Sequence, residues 1–160
     1  MTPEAREETV LAAVRERREL VNDAIEEDLP IDDPERLYQA SRYLLDAGGK
    51  RLRPAILLLT GEALVDSAPM SENYREFPTL VDEEEPIDLM AAAVSVEVIQ
   101  SFTLIHDDIM DQDEIRRGVP AVHVQYDQET AILAGDTLYS KAFEIMTSTG
   151  APPDRAMEAM

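Results

Sequence analysis

The sequence predicts an all-α protein, a bundle of antiparallel helices. Three observations carry that expectation. Apolar residues recur every three or four positions over several long segments, the spacing of one helix face. Helix-start and helix-stop residues bracket those segments. No stretch alternates apolar and polar residues with the period of two that a half-buried strand requires.

Thr2-Pro3-Glu4 opens the first helix, with Thr2 as N-cap and Pro3 at the first helical position. Val10, Val14, Val21 and Ile25 continue it until Leu29-Pro30 stops the run. Asp33-Pro34-Glu35 repeats the start signal. Leu37, Leu44 and Leu45 then point inward before Gly48-Gly49 closes the second helix. Pro54 opens an apolar helix from Ala55 to about Val65. Residues 66–86 hold Pro69, Pro78, Pro86 and the acidic run Asp82 to Glu85, and are expected to form a solvated connection. From Ile87 the chain is helical through Asp111. Leu89, Val94, Val96, Val98, Ile99, Phe102, Leu104 and Ile105 make that helix apolar almost all round, as befits the middle of a bundle. Residues 112–126 are irregular around Gly118-Val119-Pro120. Asp127 caps a long helix to about Met146, and Gly135 inside it marks a close helix crossing. A loop over 147–153 leads into the first turns of another helix, Asp154 to Met160.

Composition narrows the function. The 160 residues amount to one domain and suffice for a core. Without cysteine there is no disulfide framework, thiol nucleophile or thiolate metal site. A net charge of -20 argues against nucleic acid or an anionic membrane surface as partner. The charged, Pro-containing N-terminus is wrong for a signal peptide, and no apolar run approaches the ~20 residues that span a bilayer. A cytoplasmic protein without a transmembrane segment is expected. Arginine outnumbers lysine twelve to two. That acid-rich, lysine-poor balance is similar to that of proteins from salt-accumulating halophiles, and the fold is expected to loosen at low salt, where self-repulsion is unscreened.

The chemistry concentrates between Gln100 and Gly118. Asp107 and Asp111 sit one turn apart on one helix face, and Gln100 lies two turns before Asp107 on the same face. Carboxylates near the negative end of a helix dipole are unfavourable without a cation. Bound Mg2+ resolves that conflict and suits an all-oxygen donor set better than zinc. An EF-hand fails on spacing, because Ile109 or Ile115 falls where a ligand is required. Arginine binds phosphate oxygens through its planar fork. Lys50, Arg51, Arg53, Arg116 and Arg117 place five of the fourteen cationic residues in two short segments beside turn glycines. Carboxylates for a metal and guanidiniums for phosphate together point to metal-assisted diphosphate chemistry. His106 is expected as a structural neighbour of the site and His123 as a loop residue.

Gly48-Gly49-Lys50-Arg51-Leu52-Arg53-Pro54, Leu104-Ile105-His106-Asp107-Asp108-Ile109-Met110-Asp111 and Arg116-Arg117-Gly118, in this order and spacing, strongly resemble the trans-isoprenyl diphosphate synthases. Gly135-Asp136-Thr137-Leu138 fits that family's following helix. The resemblance implies a helical bundle of the isoprenoid synthase type and a Mg2+-dependent, head-to-tail prenyl transfer. Asp107, Asp108 and Asp111 would hold the metal on an allylic diphosphate, with Arg116 assisting. Lys50, Arg53, Gln100 and Arg117 match positions that bind isopentenyl diphosphate. Phe102, five residues before the first aspartate, matches a position that floors the product cavity, as in archaeal-type geranylgeranyl diphosphate synthases. The family's second aspartate motif has no counterpart after Arg117, so the chain resembles the N-terminal half of a synthase, a single partial domain over 1–160. The resemblance therefore leaves three expectations: a piece of an enzyme that dimerises in the family's manner, which is the favoured one, a non-catalytic or regulatory helical subunit paired with a longer synthase, or a purely structural helical module with a relic site.

Overall fold

The computed structural model describes residues 2–79 and 85–160. The architecture is the expected all-α one. Helix α1 runs Pro3–Asp28, α2 Glu35–Asp46, α3 Leu52–Leu64, α4 Leu89–Asp111, α5 Val122–Gln125, α6 Gln128–Thr147 and α7 Pro153–Glu158. A 3-10 turn, Tyr74–Glu76, lies between α3 and α4.

Local chemistry explains most boundaries. Thr2 accepts a hydrogen bond from the Ala5 N–H and caps α1, and Asp127 accepts from the Thr130 N–H and caps α6. Asp88 does the same for α4 through Ala91. Two starts differ from expectation. Pro34, not Asp33, is the N-cap of α2, and it offers no side-chain hydrogen bond. Helix α3 begins two residues before Pro54, after Arg51 in a left-handed conformation. Proline is tolerated there because the N–H groups of a first turn have no helical acceptor.

Helix α4 is the axis of the molecule and packs against α1, α2, α3, α5 and α6. Among the described residues it is the helix that is long and apolar enough to cross a membrane, contrary to the expectation that no such run exists. Its packing gives that apolarity another use, since Ala93, Val94, Val98 and Ile105 are essentially inaccessible at the bundle centre. Around them lie Val21, Ile25, Leu44, Leu45, Leu58, Ala134, Leu138 and Ala142. The outer half of α1 departs from the expected inward face: Val10 is 60% exposed.

The 66–86 connection is not simply solvated. Tyr74 and Phe77 are buried, their rings stacked 6.1 Å apart, and Phe77 forms an isolated antiparallel bridge with Ile87. Arg75 pins this segment to the rest of the chain through Asp28 (2.9 Å), Asp88 (3.1 Å) and Glu27 (3.1 Å). Except for exposed Glu85, the acidic run 82–85 falls outside the described residues. The irregular region after α4 contains a minimal hairpin, β1 (Ile115–Arg116) against β2 (Val119–Pro120), followed by α5. Arg117 and Gly118 turn it, both at positive φ.

Candidate functional site

One strip of α4 carries its acidic residues and Gln100. At 100° per residue, Glu97, Gln100, Asp107, Asp108 and Asp111 fall within roughly 100° of arc. Asp107 and Asp111 are exposed and make no ion pair among the described residues. Asp108 lies at the inner edge of the strip and is 1% exposed. Its Oδ1 accepts from Arg116 Nε at 2.8 Å and from Arg116 Nη2, and its Oδ2 has no hydrogen-bond partner. The structure thus does not bring the three aspartates to one surface: two face outward and the third holds an arginine.

The two arginines of the hairpin engage this strip at separate levels. Arg116 reaches Asp108 and Asp113 (3.2 Å). Hydrogen bonding to Asp108 holds its pKa above the ordinary value, and the charges of Asp113 and Asp107 add to that. Arg117 reaches Glu97 (3.0 Å), eleven residues and roughly 16 Å earlier on the helix. It also donates to the carbonyls of Leu44 (2.9 Å) and Gly48 (2.6 Å). Between these levels the Gln100 amide is half-buried and makes no hydrogen bond among the described residues.

The glycine loop arrives at the Arg117 end. Arg51 is 4% exposed and donates to Glu97 (2.6 Å), Asn22 (2.9 Å) and the Leu45 carbonyl (2.6 Å). Burial lowers its pKa, against the Glu97 charge and hydrogen bond, which raise it. Lys50 and Arg53 are exposed and have no ion-pair partner among the described residues, which leaves both free for an anion.

Behind the aspartates, His106 fills the α4–α6 crossing. A Cβ on Gly135 would lie 2.4 Å from His106 Nε2, so the expected close approach is present and a histidine ring occupies it. His106 Nε2 is 3.4 Å from the Ile132 carbonyl and 3.6 Å from Asp136. His123 lies in α5 rather than a loop, its Nδ1 buried without a partner. Phe102 joins an aromatic cluster, with ring centroids 4.8 Å from His106 and 5.2 Å from Tyr139. That places it on the α6 side, about 140° around the helix from Asp107.

Sequence reasoning missed Glu97 and the inward turn of Asp108. The signal for Glu97 was present, since an ionisable residue between Val94 and Val98 on a buried helix requires a partner.

Among the described residues, no three His, Cys, Asp or Glu side chains converge closely enough to hold a metal ion. The two outward carboxylates still suit Mg2+, which takes one or two carboxylates and completes its shell with water and phosphate oxygens.

An α-bundle whose central helix meets acids and guanidiniums along one strip is a helical bundle of the isoprenoid synthase class, and solved structures agree. The geranylgeranyl pyrophosphate synthetase of Geoglobus acetivorans superposes with a TM-score of 0.75 at 48% identity, covering 91% of this chain and 42% of that one. The chain belongs to the polyprenyl synthetase family, whose model matches residues 34–160. It is 68% identical over 151 residues to a geranylfarnesyl diphosphate synthase of Natronomonas pharaonis, covering 94% of this chain and 44% of the relative. It is 50% identical over 152 residues to a geranylgeranyl diphosphate synthase of Methanosarcina mazei, covering 95% and 41%. The chain thus spans less than half the length of these three relatives.

Proposed function

We propose that this chain carries the metal- and diphosphate-binding half of a trans-prenyltransferase that joins isopentenyl diphosphate to an allylic prenyl diphosphate, yielding geranylgeranyl diphosphate. The carrying observation is the α4 strip, with two unpaired outward carboxylates at its C-terminal end and a cation-bearing loop docked nearer its middle. Relatives named as synthases of such diphosphates support the reading.

In this reading Asp107 and Asp111 hold Mg2+ on the allylic diphosphate, and Asp108 acts indirectly by fixing Arg116 beside them. The metal, when bound, neutralises charge developing on the departing diphosphate. Lys50 and Arg53 bind the diphosphate of isopentenyl diphosphate, with Gln100 between the two subsites. Arg117 joins that subsite from the hairpin. The apolar faces of α3 and α4 keep water from the allylic cation. An apolar cleft of about 390 Å³ lies between α3, α4 and α7 and is lined by Leu57, Leu64, Phe77, Leu89, Ala92 and Val96. Phe102 limits product length by holding α6 against α4. A homodimer, or pairing with a longer synthase, completes the assembly.

The test is farnesyl diphosphate binding to the chain across a Mg2+ titration. Mg2+ is expected to tighten binding at least about tenfold, or 1.4 kcal/mol, in the wild type. The Asp107→Asn, Asp111→Asn double variant is expected to lose that gain. A wild-type affinity indifferent to Mg2+ sinks the proposal. The Phe102 assignment stands or falls on product analysis in the assembled enzyme, where Phe102→Ala is expected to give longer chains.

A further inference from the structure

We propose that Glu97 is a positioning residue for the diphosphate loop, acting through Arg51 and Arg117 rather than on the ligand. The inference rests on the reading of Lys50 and Arg53 given above. One buried oxygen, Glu97 Oε1, accepts from Arg51 at 2.6 Å and from Arg117 at 3.0 Å. Arg51 extends the tie to α1 through Asn22 and to α2 through the Leu45 carbonyl. Arg117 extends it to the loop itself through the Gly48 carbonyl. Both arginines hold positive φ, +48° and +55°, conformations that bulky residues keep only when their surroundings impose them.

At Gly49 the loop backbone packs closely against the pair of guanidiniums. A Cβ at Gly49 would stand 3.1 Å from Arg117 Cζ and 3.2 Å from Arg51 Nη1. Lys50, between fixed Gly49 and fixed Arg51, is therefore presented outward by a platform that one carboxylate assembles. The platform also carries one more positive charge than negative. Without Glu97, two guanidiniums would meet unneutralised beneath the loop and push apart.

Simple electrostatics and positioning give opposite signs. Glu97→Gln removes a negative charge below an anion site, so Coulomb attraction alone would tighten diphosphate binding. Release of the loop would weaken it. The experiment is a calorimetric titration of the full chain with inorganic diphosphate, without Mg2+, for the wild type, Glu97→Gln, Arg51→Lys and Lys50→Ala. Glu97→Gln is expected to weaken binding about tenfold, the lower end of what losing an orienting partner costs at metal sites. Arg51→Lys keeps the charge but loses the fork, and is expected to weaken binding as well. Mg2+ affinity at Asp107 and Asp111 should be unchanged in both, which a general loss of structure would not allow. Trypsin should cut faster after Lys50 in Glu97→Gln and no faster elsewhere. Equal or tighter diphosphate binding by Glu97→Gln, or unchanged binding by Arg51→Lys should the first variant not fold, overturns the inference alone if Lys50→Ala has lost affinity. If Lys50→Ala binds like the wild type, the loop is not the site and both readings fall.

Discussion

Glu62 and Glu97 are both buried carboxylates neutralised by arginine, yet their surroundings differ in kind. Glu62, on α3, takes Arg17 at 2.5 Å and the Met70 N–H at 3.1 Å, and the Tyr74 hydroxyl donates to it as well. One guanidinium, one carboxylate and one phenol make a balanced set, and both carboxylate oxygens are in use. Burial pushes the Glu62 carboxyl up, but hydrogen bonds from Tyr74 and Arg17 outweigh it and hold it below the ordinary value. Glu97 faces two guanidiniums through one oxygen, and one of them, Arg51, lies in the chain between exposed Lys50 and Arg53. The first cluster is closed and fastens α1, α3 and the 66–86 connection together. The second has cationic capacity left over, the property that the proposed anion site calls for.

Three measurements sharpen that contrast. Arg17→Ala should have the largest effect, because it leaves a buried carboxylate without its cation: about 3–5 kcal/mol lost in denaturant unfolding. Diphosphate affinity of the folded fraction should not move. A matching loss of affinity would mean that the two clusters are one system.

Tyr74→Phe should cost less, about 1.5–3 kcal/mol, for one hydrogen bond to a charged group. Burial, then the hydrogen bond to Glu62, pushes the Tyr74 hydroxyl up from 10.0 to about 12. The neutral phenol is thus favoured by folding. Its stabilising contribution is complete below about pH 10 and is lost as pH rises towards about 12. Wild-type stability should decline across that window more steeply than that of Tyr74→Phe. Parallel profiles would refute the assignment.

The smallest effect should come from salt. With a net charge of -20, molar KCl screens surface repulsion while leaving the buried clusters intact. The melting temperature is expected to rise by about 3 °C, equivalent to about 1 kcal/mol in a chain of this size. A midpoint equal in dilute and molar KCl would show that the acidic surface is not under strain.

What the sequence disclosed and what it hid divide along the range of the interactions. Thr2, Asp127 and Gly135 act within a turn or at a packed face, so caps and periodicity exposed them. The Asp107–Asp111 pair was equally local. Tyr74 and Phe77 sit in a polar, proline-rich stretch whose pattern indicates solvent, and their burial depends on partners such as Glu62 and Ile87, ten or more residues away. The inward turn of Asp108 follows from Arg116 curling back through a hairpin of only two residues per strand, too short to leave a period. Glu97 needed both arginines in place before its role was visible, and they come from positions 46 residues before it and 20 after.

The missing side chain at position 135 has a reach beyond its own helix. Because the imidazole of His106 lies where a methyl group would be, the gap between α4 and α6 is one ring thick. The residue that follows that imidazole is Asp107. Any side chain at position 135 would have to displace the ring next to Asp107, so the spacing of the two helices behind the outward carboxylates is set by an atom the chain does without.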